Sequence, residues 1–174
     1  MKIINNIKRK YLGEIKYARS IGVKIGNNCE LYKNISWGSE PYLITIGDNV
    51  RITAGCKFVT HDGGIWVIRN LYNQKEIDKF GKIVIGNSVH IGWDVIIMPG
   101  VTIGNNVIIG CGAVVTKDIP DNCVYAGIPA KKIEDIDTYY KKIKSKTINT
   151  KNLSYKEKRI VIEKKFKKEE KNEK

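Results

Sequence analysis

The chain has few of the residues that build metal sites and disulfide frameworks. Its 174 residues include two histidines and four cysteines. The cysteines form no CxxC pair, so the sequence predicts neither disulfides nor a zinc site; they are Cys29, Cys56, Cys111 and Cys123. A zinc enzyme with three histidine ligands needs more histidines than the chain has. We therefore expect no metal.

Long hydrophobic runs are also missing. No stretch of eighteen uncharged apolar residues occurs, and the first six residues contain no signal-peptide core. Because of these absences, the sequence predicts no membrane-spanning helix. They indicate a cytoplasmic protein.

What the chain does contain is an apolar residue at every sixth position. Glycine follows four of these residues, and the period fits neither an amphipathic helix nor a plain strand. The series is Ile85, Ile91, Ile97, Ile103, Ile109 and Val115. A string of antiparallel hairpins is the alternative, but a phase unbroken over thirty residues argues against it. The pattern predicts an all-β solenoid of about four to five coils over residues 22–130.

The six-residue pattern is interrupted twice before Ile85. It begins at Ile25, is broken over residues 37–43, and resumes from Ile46 to Phe58. Phe58 and Ile85 are twenty-seven residues apart, which is not a multiple of six, so we expect a loop over residues 63–82 to leave the coil. His61 lies where that loop starts. It is our candidate general base, the alternative being a polar turn residue.

The predicted loop contains side chains suited to a polar ligand. Trp66 and Arg69 could stack on a sugar and donate hydrogen bonds to it, or could pack on a neighbouring subunit. Asp62 follows the candidate base directly. We assign these three residues to acceptor binding. The second histidine, His90, is interpreted as a surface side chain.

Both termini are expected to be helical and basic. Residues 1–21 are predicted to form an N-terminal helical cap on the coil. Residues 131–174 form a tail with sixteen Lys and Arg against eight Asp and Glu. Such a helix could bind an anionic membrane or nucleic acid, but Glu163, Glu169 and Glu170 favour a solvated helix. We expect no nucleic-acid partner.

Four segments of the chain resemble the hexapeptide-repeat acyltransferases. They read IGNSVHIG from Ile85, MPGVTIG from Met98, GCGAVVTKDIP from Gly110 and AGIPAK from Ala126. The resemblance implies a left-handed parallel β-helix with short terminal helices. It also implies a homotrimer that transfers acetyl groups from acetyl-CoA at sites between subunits. His61 matches the catalytic histidine of the family.

The resemblance also implies roles for further residues. The backbone amide of Trp93 matches the oxyanion donor, although the family usually has a small residue there, and Asn34 is the nearest match to an acceptor-binding asparagine. Positions that match the CoA site are Gly92, Trp93, Gly110, Cys111, Thr116, Lys117 and Lys131. Glu134 departs from the family because relatives often carry an arginine at this position.

Taken together, these features predict an acetyl-CoA-dependent O-acetyltransferase. The acceptor is expected to be a sugar hydroxyl in surface polysaccharide or glycoconjugate biosynthesis, since the segment around THDGG resembles that branch of the family. Alternatives are N-acetylation of an amino sugar and acetylation of an antibiotic or other xenobiotic. A non-enzymatic solenoid would not need His61 at a break in the repeat.

Overall fold

A computed structural model describes residue 9 and residues 12–172, with side chains through residue 168. Residues 1–8, 10 and 11 of the predicted helical cap lie outside the described residues. The helices are α1 (Glu14–Ser20), α2 (Ile65–Leu71), α3 (Ile136–Lys144) and α4 (Tyr155–Asn172), and a 3₁₀ turn spans Pro41–Leu43. The chain divides into two units, one up to Tyr139 and one from Tyr140 onward.

The described part of the first unit contains thirteen short strands. They are β1 (Lys24–Ile25), β2 (Glu30–Leu31), β3 (Ile44–Ile46), β4 (Arg51–Ile52), β5 (Lys57–Phe58), β6 (Ile83–Ile85), β7 (His90–Ile91), β8 (Ile96–Ile97), β9 (Thr102–Ile103), β10 (Ile108–Ile109), β11 (Val114–Val115), β12 (Cys123–Ala126) and β13 (Lys131–Asp135). The strands are this short because Gly, Asn or Asp occurs within three residues after almost every one of them and bends the backbone.

The strands form three sheets, A, B and C, and from β3 to β11 the consecutive strands fall in these sheets in turn. Sheet A has the order β1-β3-β6-β9, sheet B β13-β12-β10-β7-β4-β2, and sheet C β11-β8-β5. All strand pairs are parallel except β12 with β13. Each turn of the chain therefore adds one strand to each sheet, and the prediction of a parallel-stranded solenoid is confirmed.

The strand register shows where the coil is regular and where it is interrupted. Ile85 pairs with Ile103, eighteen residues later, so an ordinary coil is three hexads. Ile25 pairs with Ile46, twenty-one residues later, and Ile46 pairs with Ile85, thirty-nine residues later. The first interruption thus adds three residues to a coil. The second adds twenty-one residues, which form what we call the excursion.

The apolar residues of the hexads fill the interior of the coil. Ile85, Ile91, Ile97, Ile103 and Ile109 are each at most 1% exposed. Since each of them packs on the coil before and after it, the core is a column that depends on contacts between neighbouring coils.

A ladder of Asn and Asp side chains runs along the corner between sheets A and B. Asp48, Asn87, Asn105 and Asp121 each accept a hydrogen bond from a backbone amide of the preceding coil, at 2.6–2.8 Å. Hydrogen bonds from the backbone and side chain of Asn105 lower the pKa of Asp121. The ladder satisfies amides that a turn leaves without a partner in the strands.

Both ends of the coil are covered. Tyr17 and Ala18 of α1 are buried against the first coil. At the other end β13 turns back and pairs antiparallel with β12.

The second unit consists of the last turns of α3, a loop and α4. Ser154 and Glu157 form the capping box that begins α4: each side chain accepts a hydrogen bond from the other residue's backbone amide. Among the described helices of the chain, none is long and apolar enough to cross a membrane.

Candidate active site

His61 is fixed at the base of the excursion. It follows β5 and forms an antiparallel bridge with Phe80. On either side, the Asp62 amide donates to the Lys79 carbonyl (2.8 Å) and the Gly81 amide donates to the Thr60 carbonyl (2.9 Å). The loop therefore leaves and re-enters the coil through a paired stem that holds the His61 backbone in place.

The ring of His61 is held by two residues from the first interruption. Its Nδ1 lies 2.9 Å from Ser39 Oγ and 3.5 Å from Glu40 Oε2. Ser39 Oγ donates its only proton to Glu40 Oε2, 3.0 Å away. Since Ser39 donates to Glu40, a neutral His61 would donate its Nδ1–H to Ser39 Oγ, and Nε2 would then be the ring atom that accepts a proton.

Glu40 is itself well supported. Thr60 Oγ1 donates to Glu40 Oε2 at 2.7 Å, and the Glu40 amide donates to Thr60 Oγ1 at 3.3 Å. Burial acts to raise the pKa of Glu40, but hydrogen bonds from Thr60 and Ser39 and the charge of a protonated His61 outweigh it, so this pKa lies below its ordinary value. The carboxylate is therefore ionised at neutral pH.

Close packing brings the two interruptions together. Trp37 is buried and stacks on Phe58, with ring centroids 5.0 Å apart. Gly38 has a φ of +69°, and a Cβ there would lie 2.6 Å from Thr60 Oγ1, so only glycine fits. The 3₁₀ turn then returns the chain to β3.

Sequence analysis did not identify Ser39 and Glu40. Their separation from His61 along the chain could have identified them, because Glu40 precedes His61 by twenty-one residues. This is the coil step that the register shows in this part of the chain, where Leu31 pairs with Ile52.

A cavity of about 600 Å³ lies beside His61. Its walls come from the stem of the excursion and from the turns of the next two coils, and it is lined by Val59, His61, Asp62, Gly63, Gly64, Lys79, Phe80, Gly81, Met98, Pro99, Gly100 and Thr116. Apolar side chains predominate next to the imidazole. The cavity can therefore hold a small apolar group close to a proton acceptor.

Other residues predicted for acceptor binding lie on or near the excursion. Asp62 accepts from Lys79 Nζ and from the Gly64 amide, both at 3.0 Å, and these bonds lower its pKa. Arg69 donates to the Ile77 carbonyl and pairs with Asp78, so it braces the excursion from within. The Trp66 side chain is 67% exposed.

The structure separates the remaining predicted site residues into two groups. His61, Asp62, Thr116 and Lys117 lie at the corner between sheets C and A. The corner between sheets B and C carries the second group, which is Asn34, Gly92, Trp93, Gly110 and Cys111. Sheet C lies between these corners, so one chain does not bring the two groups together. Lys131 begins β13 at the end of the coil.

The corner between sheets B and C still offers a hydrogen-bond donor. Within the described chain, the Trp93 amide has no hydrogen-bond acceptor, whereas the Trp93 carbonyl accepts from the Gly112 amide at 2.7 Å. The indole is 59% exposed, and Cys111 is exposed beside it. His90 lies elsewhere, on sheet B, where burial and the charge of Arg51 lower its pKa.

A parallel solenoid that carries a hydrogen-bonded histidine at a break in its repeat defines the class to which the protein belongs. Comparisons with known proteins give the family. The family described as "Bacterial transferase hexapeptide (six repeats)" matches residues 82–117. Protein CapG of Staphylococcus aureus is 50% identical over 168 residues, which is 95% of this chain and 96% of CapG. The chain belongs to the hexapeptide-repeat transferase family.

Further relatives have names that state an activity. Galactoside O-acetyltransferase of Escherichia coli K12 is 40% identical over 123 residues, 71% of this chain and 59% of that protein. A structure of maltose O-acetyltransferase from Clostridium difficile 630 matches with a TM-score of 0.57 and 28% identity, covering 76% of this chain and 88% of that one. A galactoside acetyltransferase in complex with coenzyme A matches with a TM-score of 0.56 and 31% identity, covering 79% and 83%.

Proposed function

We propose that the protein is an acetyl-CoA-dependent O-acetyltransferase that acts on a sugar hydroxyl in the synthesis of a surface polysaccharide or glycoconjugate. One observation carries the proposal: a histidine whose Nδ1 is engaged by Ser39 and Glu40 borders a cavity of about 600 Å³. The names of the galactoside and maltose O-acetyltransferases support a sugar acceptor and an oxygen nucleophile.

The arrangement around His61 suits general base catalysis. With Nδ1–H donating to Ser39, Nε2 takes the proton of the acceptor hydroxyl as its oxygen attacks the acetyl carbonyl carbon. The carbon–sulfur bond then breaks, and the same Nε2 returns the proton to the leaving sulfur. Glu40 stabilises the imidazolium between these two transfers, as an orienting carboxylate does in other catalytic groupings.

The donor substrate would supply an activated acetyl group as a thioester. Gly92, Gly110 and Cys111 lie at the corner where a pantetheine arm would bind, and the Trp93 amide would stabilise the developing oxyanion. Thr116 and Lys117, which were also predicted to bind CoA, lie at the corner that carries His61. Lys131 is an exposed cation suited to a phosphate of CoA.

We infer that the working form is a homotrimer of left-handed coils, in which each site is shared. The corner that carries His61 and the corner that carries Trp93 lie on opposite sides of sheet C. A neighbouring copy that presents its Trp93 corner to this His61 would complete the site. The cytoplasmic location, the absence of a metal requirement and the absence of a nucleic-acid partner stay predictions from the sequence.

Replacement of the two histidines tests the base. His61→Ala is expected to lower the rate of acetyl transfer at least about a hundredfold, the usual scale for a lost general base. His90→Ala is the matched control and should leave the rate within about twofold, because His90 lies on sheet B. Near-normal turnover by His61→Ala would show that the assignment is wrong.

The acceptor is tested by release of free thiol from acetyl-CoA. Mono- and oligosaccharides, nucleotide-sugars, lipid-linked saccharides and amino sugars are compared, and the product is analysed for ester or amide. An ester on a sugar hydroxyl supports the proposal. An amide on an amino sugar would replace it with N-acetylation.

A further inference from the structure

Positive charge is concentrated in the second unit of the chain. From residue 140 to residue 174 there are fourteen Lys and Arg against five Asp and Glu, a net charge of +9. Residues 140–154 alone contain five lysines and no acidic residue. We call residues 140–174 the basic segment.

The basic segment ends in a well-defined helix. The capping box of Ser154 and Glu157 starts α4, and its hydrogen bonds lower the pKa of Glu157. One turn further on, Arg159 donates to Glu163 at 2.6 Å. These bonds favour the helix because a cap and an i,i+4 pair both stabilise it.

The helix exposes apolar side chains among its lysines. No described side chain between residues 140 and 168 is buried. Tyr155 is 81% exposed, Ile160 65%, Phe166 54% and Val161 36%. A segment of this length cannot bury a core of its own. Its apolar atoms therefore remain available to another surface.

We propose that the basic segment docks on the surface of an anionic lipid bilayer. Lysines of the loop and helix would face the phosphate headgroups, while Tyr155 and Phe166, which lie on one face of α4, would enter the boundary with the acyl chains. Each lysine near such a surface tightens binding about fivefold. In the sequence, the glutamates of α4 favoured a solvated helix. The exposed apolar side chains, however, add hydrophobic contact with the bilayer to the attraction between charges.

The same side chains distinguish a bilayer from other polyanions. A nucleic acid or an acidic polysaccharide would neutralise the lysines and leave Tyr155 and Phe166 in water. A bilayer satisfies both kinds of side chain. This inference does not rest on the proposed function, because it needs neither acetyl-CoA nor His61.

The test is co-sedimentation of the full-length protein with vesicles. Vesicles of phosphatidylcholine with about 30% phosphatidylglycerol should bind at least about tenfold more tightly than pure phosphatidylcholine, and added salt should weaken the binding. Equal binding to both kinds of vesicle would overturn the proposal.

Two variants and a control locate the surface. Lys141, Lys164 and Lys168 changed together to Gln should weaken binding at least about tenfold, and Tyr155→Ser with Phe166→Ser at least about fivefold. The control changes Lys16, Lys24 and Lys75 to Gln, which removes the same charge from the first unit, and should cost less than about twofold. A control that weakens binding as much as the tail variant would contradict the proposal.

Other occupants would give different results. If single-stranded RNA competes with the vesicles and the Tyr155→Ser, Phe166→Ser variant binds both as well as the natural chain, the segment is a general polyanion binder and the proposal is wrong. If that variant instead lowers the oligomeric mass measured by light scattering, the apolar side chains face a second copy. Acetyl transfer to a small acceptor should be unchanged in all tail variants, so a failure here leaves the proposed function standing.

Discussion

Glu40 lies where it would affect catalysis through another residue, His61. Its carboxylate reaches His61 at 3.5 Å directly and also through Ser39, while Thr60 holds it from the other side. Glu40 is not among the residues that line the cavity. Its effect on acetyl transfer must therefore pass through the orientation and charge of the imidazole.

Glu40→Gln should lower kcat about tenfold or more and leave the KM for acetyl-CoA within about twofold, because an orienting group contributes to the transition state more than to binding. Steady-state kinetics measure both constants. In a His61→Ala background the same change should have no further effect, since the two residues act as a unit. Additive losses in the double variant would show that Glu40 merely supports the fold.

The lowered pKa of Glu40 also predicts how stability depends on pH. A carboxyl group with a lower pKa in the folded state stabilises the fold above its unfolded pKa, near 4.5, and loses that contribution as pH falls through the folded pKa. The difference in Tm between the natural chain and Glu40→Gln should therefore be constant above about pH 6 and shrink below about pH 4. Thermal unfolding across this range measures it, and a difference that grows in acid would contradict the prediction.

At the scale of an element, the Asn and Asp ladder ties each coil to the next. Asn105 lies in the middle of it: Oδ1 accepts from the Asn87 amide at 2.8 Å, and Nδ2 donates to Asp121. These bonds are exposed to solvent, so each contributes modestly. Their importance lies in their repetition along one corner.

Asn105→Ala should lower the free energy of unfolding by about 1–2 kcal/mol, because it removes an acceptor and a donor from the ladder. Urea titration measures this loss. Asn70→Ala on α2 is the matched control, since Asn70 is exposed and has no side-chain hydrogen bond in the described structure. That change should stay within about 0.5 kcal/mol. Equal losses of stability in both variants would show that the ladder is not the cause of the effect of Asn105→Ala.

At the scale of the whole molecule, the shared site that we propose can be tested by mixing subunits. His61→Ala disables one corner of a chain, and Cys111→Trp fills the other. In a cyclic trimer containing both kinds of subunit, about one interface in three would join an intact His61 to an intact Cys111 corner. Co-expression should therefore restore up to about a third of the natural rate, whereas each variant alone is inactive. No recovery in mixed trimers would place the whole site in one chain.

The repeat made much of this architecture predictable from sequence. Every sixth residue from Ile85 to Ile109 is buried, because one hexad of the sequence spans the distance from one corner of the coil to the next. His61 could be located because the pattern breaks beside it. Its partners were missed because a regular step of eighteen residues points from His61 to Leu43, whereas Glu40 lies in a coil lengthened by three residues.

The antiparallel pairing of β13 with β12 limits how the end of the coil can pair with another copy of the chain. A parallel coil with a bare last turn would present three strand edges to the first turn of another copy, and such copies could add end to end into a fibre. Here β13 covers sheet B, and Gly127 and Ala130 hydrogen-bond the backbone of Val114 in sheet C. The first coil of another copy therefore does not meet three parallel edges that would continue the column, which favours contact between copies side by side.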